Sequence, residues 1–118
     1  MKRSVALTVL GLRVAYGAAL IAVPDKMVKS WLGPANDPLR VSLRGLGARE
    51  IGIHTAGIVV LLTGGDVRPW LIVSIAGDLN DIAATAVGRS GLPEKSAVMT
   101  AAAAGGSAAL TAAVLAVS

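Results

Sequence analysis

Three carboxylates, two arginines and the chain's single histidine stand inside stretches that are otherwise apolar. Arg13 interrupts the first stretch, Arg49, Glu50 and His54 lie in the second, and Asp78 and Asp81 lie in the third. A charge in an apolar segment is costly unless it is paired or serves a water-filled path, so these residues are expected to find one another. Glu50 and His54 are four residues apart and Asp78 and Asp81 three apart, which puts each pair on one helix face. Antiparallel helices rise about 1.5 Å per residue, and counting from the connection between the first two helices groups the charges by depth. Arg13, His54 and Asp78 fall at one level; Arg49, Glu50 and Asp81 fall about one helical turn nearer that connection.

This set supports three chemistries. The first is a nearly balanced ion-pair network that fixes helix register. The second is a ligand or proton site in which His54 titrates near neutrality beside carboxylates, and it would suit a bound lipid or quinone. The third is a metal site built from Glu50, His54, Asp78 and Asp81. The Glu-x-x-His spacing of carboxylate-bridged metal bundles is absent, and the arginines would repel a cation, so no metal and no cofactor are predicted. Tyr16 and Asn80 could add hydrogen bonds. Ser42 and Ser74 have no evident base, and a lone histidine does not make a triad. Gly45-Leu46-Gly47 has no preceding strand and reads as close helix approach rather than a dinucleotide loop. Arg40 and Arg44, one turn apart, read either as a contact for a phosphate or anionic headgroup or as a solvated positive face.

The elements that position these residues are helices. The mean hydropathy is +0.71, 54% of residues are hydrophobic, only 15% are charged and Phe is absent. The pattern predicts one all-α domain over residues 1–118, a four-helix transmembrane bundle with helices at about 5–23, 38–63, 70–87 and 94–117. Pro24 ends the first helix, Asp37-Pro38 starts the second with an acidic cap, Gly64-Gly65 ends it, and Pro93-Glu94 opens the fourth. Residues 25–32 read as a short amphipathic helix along the membrane interface, with Met27, Val28, Trp31 and Leu32 on one side. The fourth helix is uncharged, and Ala101, Gly105 and Ala109 form a small-residue stripe for packing within the monomer or for docking another membrane protein.

The net charge of +4 comes from residues in loops and helix ends, which fits lipid headgroups and topology better than nucleic acid. Counting Lys and Arg by side predicts loops 24–37 and 88–93 in the cytoplasm. Met1-Lys2-Arg3 before an apolar run resembles a signal peptide, but the run continues past Arg13, and a retained helix is expected. Cysteine is absent from the chain, excluding disulfides and thiolate chemistry. The Ala, Gly, Val and Arg bias suits a GC-rich bacterial genome and hence a bacterial inner membrane.

Arg44-Gly45-Leu46-Gly47-Ala48-Arg49-Glu50 and Gly77-Asp78-Leu79-Asn80-Asp81 resemble segments of small bacterial four-helix membrane proteins of the DoxX-like and domain-of-unknown-function type. The resemblance covers most of the chain in layout and only these segments in residues. It implies a membrane bundle and singles out Arg44, Arg49, Glu50, Asp78 and Asp81, but no activity. Two functions remain open. One is a non-catalytic accessory subunit of a larger membrane complex, bound to another membrane protein or to itself. The other is a membrane-embedded small-molecule site, transporter-like, quinone-associated or lipid-modifying, using His54 and the carboxylates for proton transfer. A soluble Ala-rich bundle is the remaining architecture.

Overall fold

The computed structural model describes residues 2–28 and 36–117. In chain order the elements are α1 (Lys2–Ala22), α2 (Pro24–Val28), α3 (Asp37–Leu62), α4 (Arg68–Val87) and α5 (Ser96–Ala116), with a 3-10 turn at Arg89–Gly91 before α5. The described residues contain no strand. The four long helices are each long and apolar enough to cross a membrane. They run alternately up and down: Gly17 meets Gly47, Arg49 reaches Asp81, and Gly105 faces Ile82. The molecule is 43 Å along its longest axis.

Local chemistry sets the boundaries, some of which depart from the sequence reading. The cap of α3 is Asn36, one residue before the expected Asp37; its side chain accepts a hydrogen bond from the Leu39 amide at 2.8 Å, and Asp37 instead pairs with Arg40. After α3, Gly64 takes φ +81° and the Gly65 amide donates to the Val60 carbonyl at 2.8 Å, a glycine-dependent closure of the helix end. The fourth long helix begins at Ser96 rather than near 94, because Pro93-Glu94-Lys95 form a turn closed by the Ser96 amide on the Pro93 carbonyl.

Of the segment read as interfacial, α2 covers Pro24–Val28, and Lys29 to Leu32 lie outside the described residues. The apolar side of α2 does not face outward. Val28 is fully buried against Leu20 and Leu43, with Met27 beside them. This cluster closes one end of the bundle. A second cluster, from Ala6, Val9, Leu10, Val67, Leu71 and Val114, closes the other.

Between the two apolar plugs the bundle is polar. Arg13, Glu50, His54, Ser74 and Asp78 are all buried. The outer face is apolar: Leu79 is 56% exposed while its neighbour Asp78 is 4% exposed. This polar-inside, apolar-outside distribution is the reverse of a water-soluble bundle.

The tightest helix contact is α1 on α3. A Cβ added to Gly47 would lie 2.5 Å from the Gly17 carbonyl oxygen, and one added to Gly17 would lie 2.7 Å from the Gly47 carbonyl oxygen. Gly45 and Gly52 have open space at the same position, so only the second glycine of the Gly-Leu-Gly pair serves close approach. Gly47→Ala should therefore lower stability by about 1–3 kcal/mol through backbone overpacking, despite alanine's better helix propensity. Gly45→Ala and Gly52→Ala should be neutral or stabilising by up to about 1 kcal/mol. Unfolding titrations with a denaturing detergent distinguish the two groups; equal effects at all three sites would remove the role assigned to the crossing.

Candidate functional site

One guanidinium organises the buried polar layer. Arg13, at mid-length on α1, lies between two carboxylates carried by two other helices. Its Nη1 and Nη2 donate to Asp78 Oδ2 and Oδ1, both at 2.8 Å. Its Nε and Nη2 donate to Glu50 Oε2 at 3.1 Å and Oε1 at 3.3 Å. Each carboxylate is thus engaged through both oxygens, a fork geometry that arginine offers and lysine does not. The helix faces explain why the three meet. On α1, Ala6, Val9, Leu10, Arg13, Gly17 and Leu20 are buried; on α3, Leu43, Gly47, Glu50, His54 and Gly57; on α4, Leu71, Ser74 and Asp78. Three- and four-residue spacing makes each set one inward stripe, and each acidic or basic member occupies a position that the pattern reserves for the interior.

Arg49 holds the second, looser pairing. Its Nη2 lies 3.3 Å and 3.5 Å from the two oxygens of Asp81 and 3.7 Å from Glu50 Oε1, while its buried Nε has no hydrogen-bond partner. Asp81 is 29% exposed and Arg49 37% exposed, against 4–5% for Glu50 and Asp78. The network therefore has a buried, bidentate core and a looser, more exposed arm.

His54 does not join Arg13 and Asp78 as the depth count expects. Its Nδ1 is 2.6 Å from the Glu50 carbonyl oxygen, four residues back on the same helix, and 3.3 Å from Glu50 Oε2. A carbonyl only accepts, so Nδ1 carries a proton. The other nitrogen, Nε2, is 2.8 Å from the Ser74 hydroxyl, which donates to it when the ring is neutral. The partner missed in the sequence is Ser74, which the three-residue spacing Leu71-Ser74 and the four-residue spacing Ser74-Asp78 put on the inward face of α4. The two expected layers are consequently redrawn. Glu50 joins Arg13 and Asp78, His54 joins Ser74, and Arg49 joins Asp81. The reason is reach: a guanidinium on a long side chain bridges the turn that separates Glu50 from Asp78 in depth.

The other expected site residues separate from this centre. Asn80 is exposed, whereas Tyr16 lies beside the network in the groove described below. Arg40 is committed to two carboxylates, with Nε 2.9 Å from Asp25 and Nη1 2.9 Å from Asp37. Hydrogen bonding from Arg40 holds the Asp25 carboxyl below its ordinary range. This tether of α2 to α3 is therefore at full strength above the carboxylate range and weakens as pH falls through it. Arg44 is exposed, with Nε donating to the Ile21 carbonyl at 3.3 Å. On α5, Ala101 and Ala109 are exposed and Gly105 meets only the tip of Ile82, so the small-residue stripe lies largely outside the monomer's packing. Among the described residues no group of His, Asp or Glu is arranged to hold a metal ion.

Beside the ionic layer is a cavity of about 420 Å3, walled chiefly by α1 and α5. Leu12, Met99 and Leu110 give it apolar walls; Arg13, Glu50, Asp78 and Asp81 give it a charged side. The fold and the site together define a four-helix bundle with a buried arginine–carboxylate core opening on an apolar groove. No family model, curated protein or solved structure matches the chain.

Removing Arg13 would strand two buried carboxylates. Arg13→Met should cost about 3–5 kcal/mol of stability. Adding Glu50→Gln and Asp78→Asn in the Arg13→Met background should recover a large part of that loss, because the polar groups are then neutral. A mutant cycle read by denaturing-detergent titration measures this coupling; simple additivity of the three changes would show that the residues do not act as a unit.

Proposed function

We propose that this chain is an integral membrane protein that binds an amphipathic small molecule in the groove between α1 and α5, with the ionic layer facing the molecule's polar end. The groove itself carries the reading. Its volume of about 420 Å3 lies within the roughly 300–1,000 Å3 of ordinary small-molecule sites, and it combines long apolar walls with polar groups gathered on one side. Apolar walls suit a ligand that arrives from the bilayer, such as a lipid, a quinone or another lipophilic compound. Tyr16, Asp81, Thr100 and Ser107 are the other polar residues lining the cavity alongside the Arg13 cluster. His54 is not one of the groove's walls; it touches the site through Glu50 and acts as a positioning residue rather than a contact. This separates the proposal from a simple His54 proton relay. The bacterial inner membrane, with loops 24–37 and 88–93 on the cytoplasmic side, is the location that composition and charge support, in line with the DoxX-like resemblance.

One observation favours a second reading, an accessory subunit. Ala101 and Ala109 are exposed, leaving the α5 stripe open for a neighbouring transmembrane helix. The two readings use different faces of α5 and can be tested together. Protein purified in mild detergent should retain a lipophilic compound identifiable by native mass spectrometry. Ala104→Trp, which fills the groove, should remove that compound and leave the assembly state unchanged. Ala101→Leu with Ala109→Leu should do the reverse if α5 docks a protein. Retention of the compound by Ala104→Trp would overturn the groove reading.

A further inference from the structure

The charges on the groove wall are not balanced. Among the described residues, the charged side chains lining it are one guanidinium, Arg13, and three carboxylates, Glu50, Asp78 and Asp81. The compensating groups stand behind the wall: Arg49 pairs with Asp81 from outside the groove, and His54 is turned to Ser74. Across the whole network, two arginines face three carboxylates, a deficit of one positive charge while His54 is neutral. In surroundings of low dielectric such a deficit attracts a cation much more strongly than it would in water.

We infer that the groove takes a lipophilic cation, with its charged centre against Asp81 and its apolar substituents along α1 and α5. This rests on the small-molecule reading above and names the ligand's chemical class. Asp81 is the available acceptor. Glu50 and Asp78 are each engaged at both oxygens by the Arg13 fork, whereas Asp81 meets a single nitrogen of Arg49 at 3.3–3.5 Å. An ionised carboxylate has about four lone-pair positions, so Asp81 keeps capacity for an incoming positive group, and its side chain is partly exposed. Arg13 does not repel the ligand as an isolated charge would, since its field is offset by two bidentate carboxylates. The walls suit the class in two further ways. Tyr16 lines the groove, and an aromatic ring is a group that attracts cations. Met27 and Met99 line the groove, and flexible, polarisable thioethers adapt to apolar substituents of varied shape.

The probe is tetraphenylphosphonium, with triphenylphosphine oxide as a neutral arene of related shape. Binding of each is measured on the full chain in nanodiscs of zwitterionic lipid, over empty discs. Tetraphenylphosphonium should bind saturably and the neutral probe much more weakly. Ala104→Trp should abolish binding. Asp81→Asn should weaken the cation by about tenfold or more, the scale of a Coulombic attraction lost in surroundings of low dielectric, while Asp81→Glu, which keeps the charge, should retain most of the affinity. Equal binding of the two probes, or a cation affinity unmoved by Asp81→Asn, overturns the cation assignment while the groove reading survives. Binding no greater than to empty discs for both probes, or insensitive to Ala104→Trp, overturns both. If Asp81→Asn does not yield folded protein, the comparison of the two probes on the unsubstituted chain decides.

Discussion

A single arginine has to satisfy two carboxylates that arrive on two other helices, and much of the bundle is arranged around that requirement. Arg13 reaches Glu50 on α3 and Asp78 on α4 with four hydrogen bonds of 2.8–3.3 Å. Bidentate contacts tolerate little rotation or sliding, so they fix the register of α1 against both partners. The α1–α3 crossing serves the same end. Gly17 lies one turn beyond Arg13, and Gly47 lies one turn before Glu50, and these two glycines let the backbones touch. The small residues and the ion pairs thus belong to one inward face of α1 and α3.

Burying such a network is justified by specificity more than by stability. A well-packed apolar core would hold four helices at least as firmly, but apolar stripes rich in Ala, Gly and Val slide past one another at little cost. The two apolar plugs make the ionic layer strong. Leu20, Val28 and Leu43 close one end; Leu10, Leu71 and Val114 close the other. Charges between them interact in a medium of low dielectric, where a matched pair is worth more and an unmatched one costs more. The loose arm, Arg49 with Asp81, is more exposed than the Arg13 core and is held by longer contacts of 3.3–3.5 Å.

The sequence disclosed the residues of this layer better than their partnership. Charge in apolar segments and three- and four-residue spacing are enough to gather Arg13, Arg49, Glu50, His54, Asp78 and Asp81, because the cost of an unpaired buried charge admits few alternatives. Depth counting then failed at His54. Ser74, a small hydroxyl with no charge to draw attention, captures its Nε2, and the reach of Arg13 lets Glu50 cross levels. Similar limits apply to backbone contacts. Gly45 and Gly47 look alike in the sequence, yet only Gly47 faces α1, a matter of about 200° of helix rotation that a two-residue interval conceals. The fourth long helix carries no charge and near-uniform hydrophobicity, so its inward face was not legible. The stripe Ala101, Gly105 and Ala109 turns out to be mostly outside, while Thr100, Ala108, Thr111 and Val114 point in.

That uniformity also explains where the groove lies. Around the bundle α1 packs closely on α3 and α4 on α5, whereas α1 and α5 meet sparsely. Their seam closes at one end, where Val114 joins Ala6, Val9 and Leu10. Further along, α5 offers Ala103, Ala104 and Ser107 opposite Leu12 and Tyr16, and side chains this short leave the space between the helices unfilled. A few larger residues on α5 would have sealed the seam and left the ionic layer fully enclosed, as a purely structural network would favour. The seam is instead unfilled beside the carboxylates that Arg13 does not fully neutralise. On the small-molecule reading proposed above, this unfilled seam is the space the ligand occupies, and the short side chains of α5 are what leave it open.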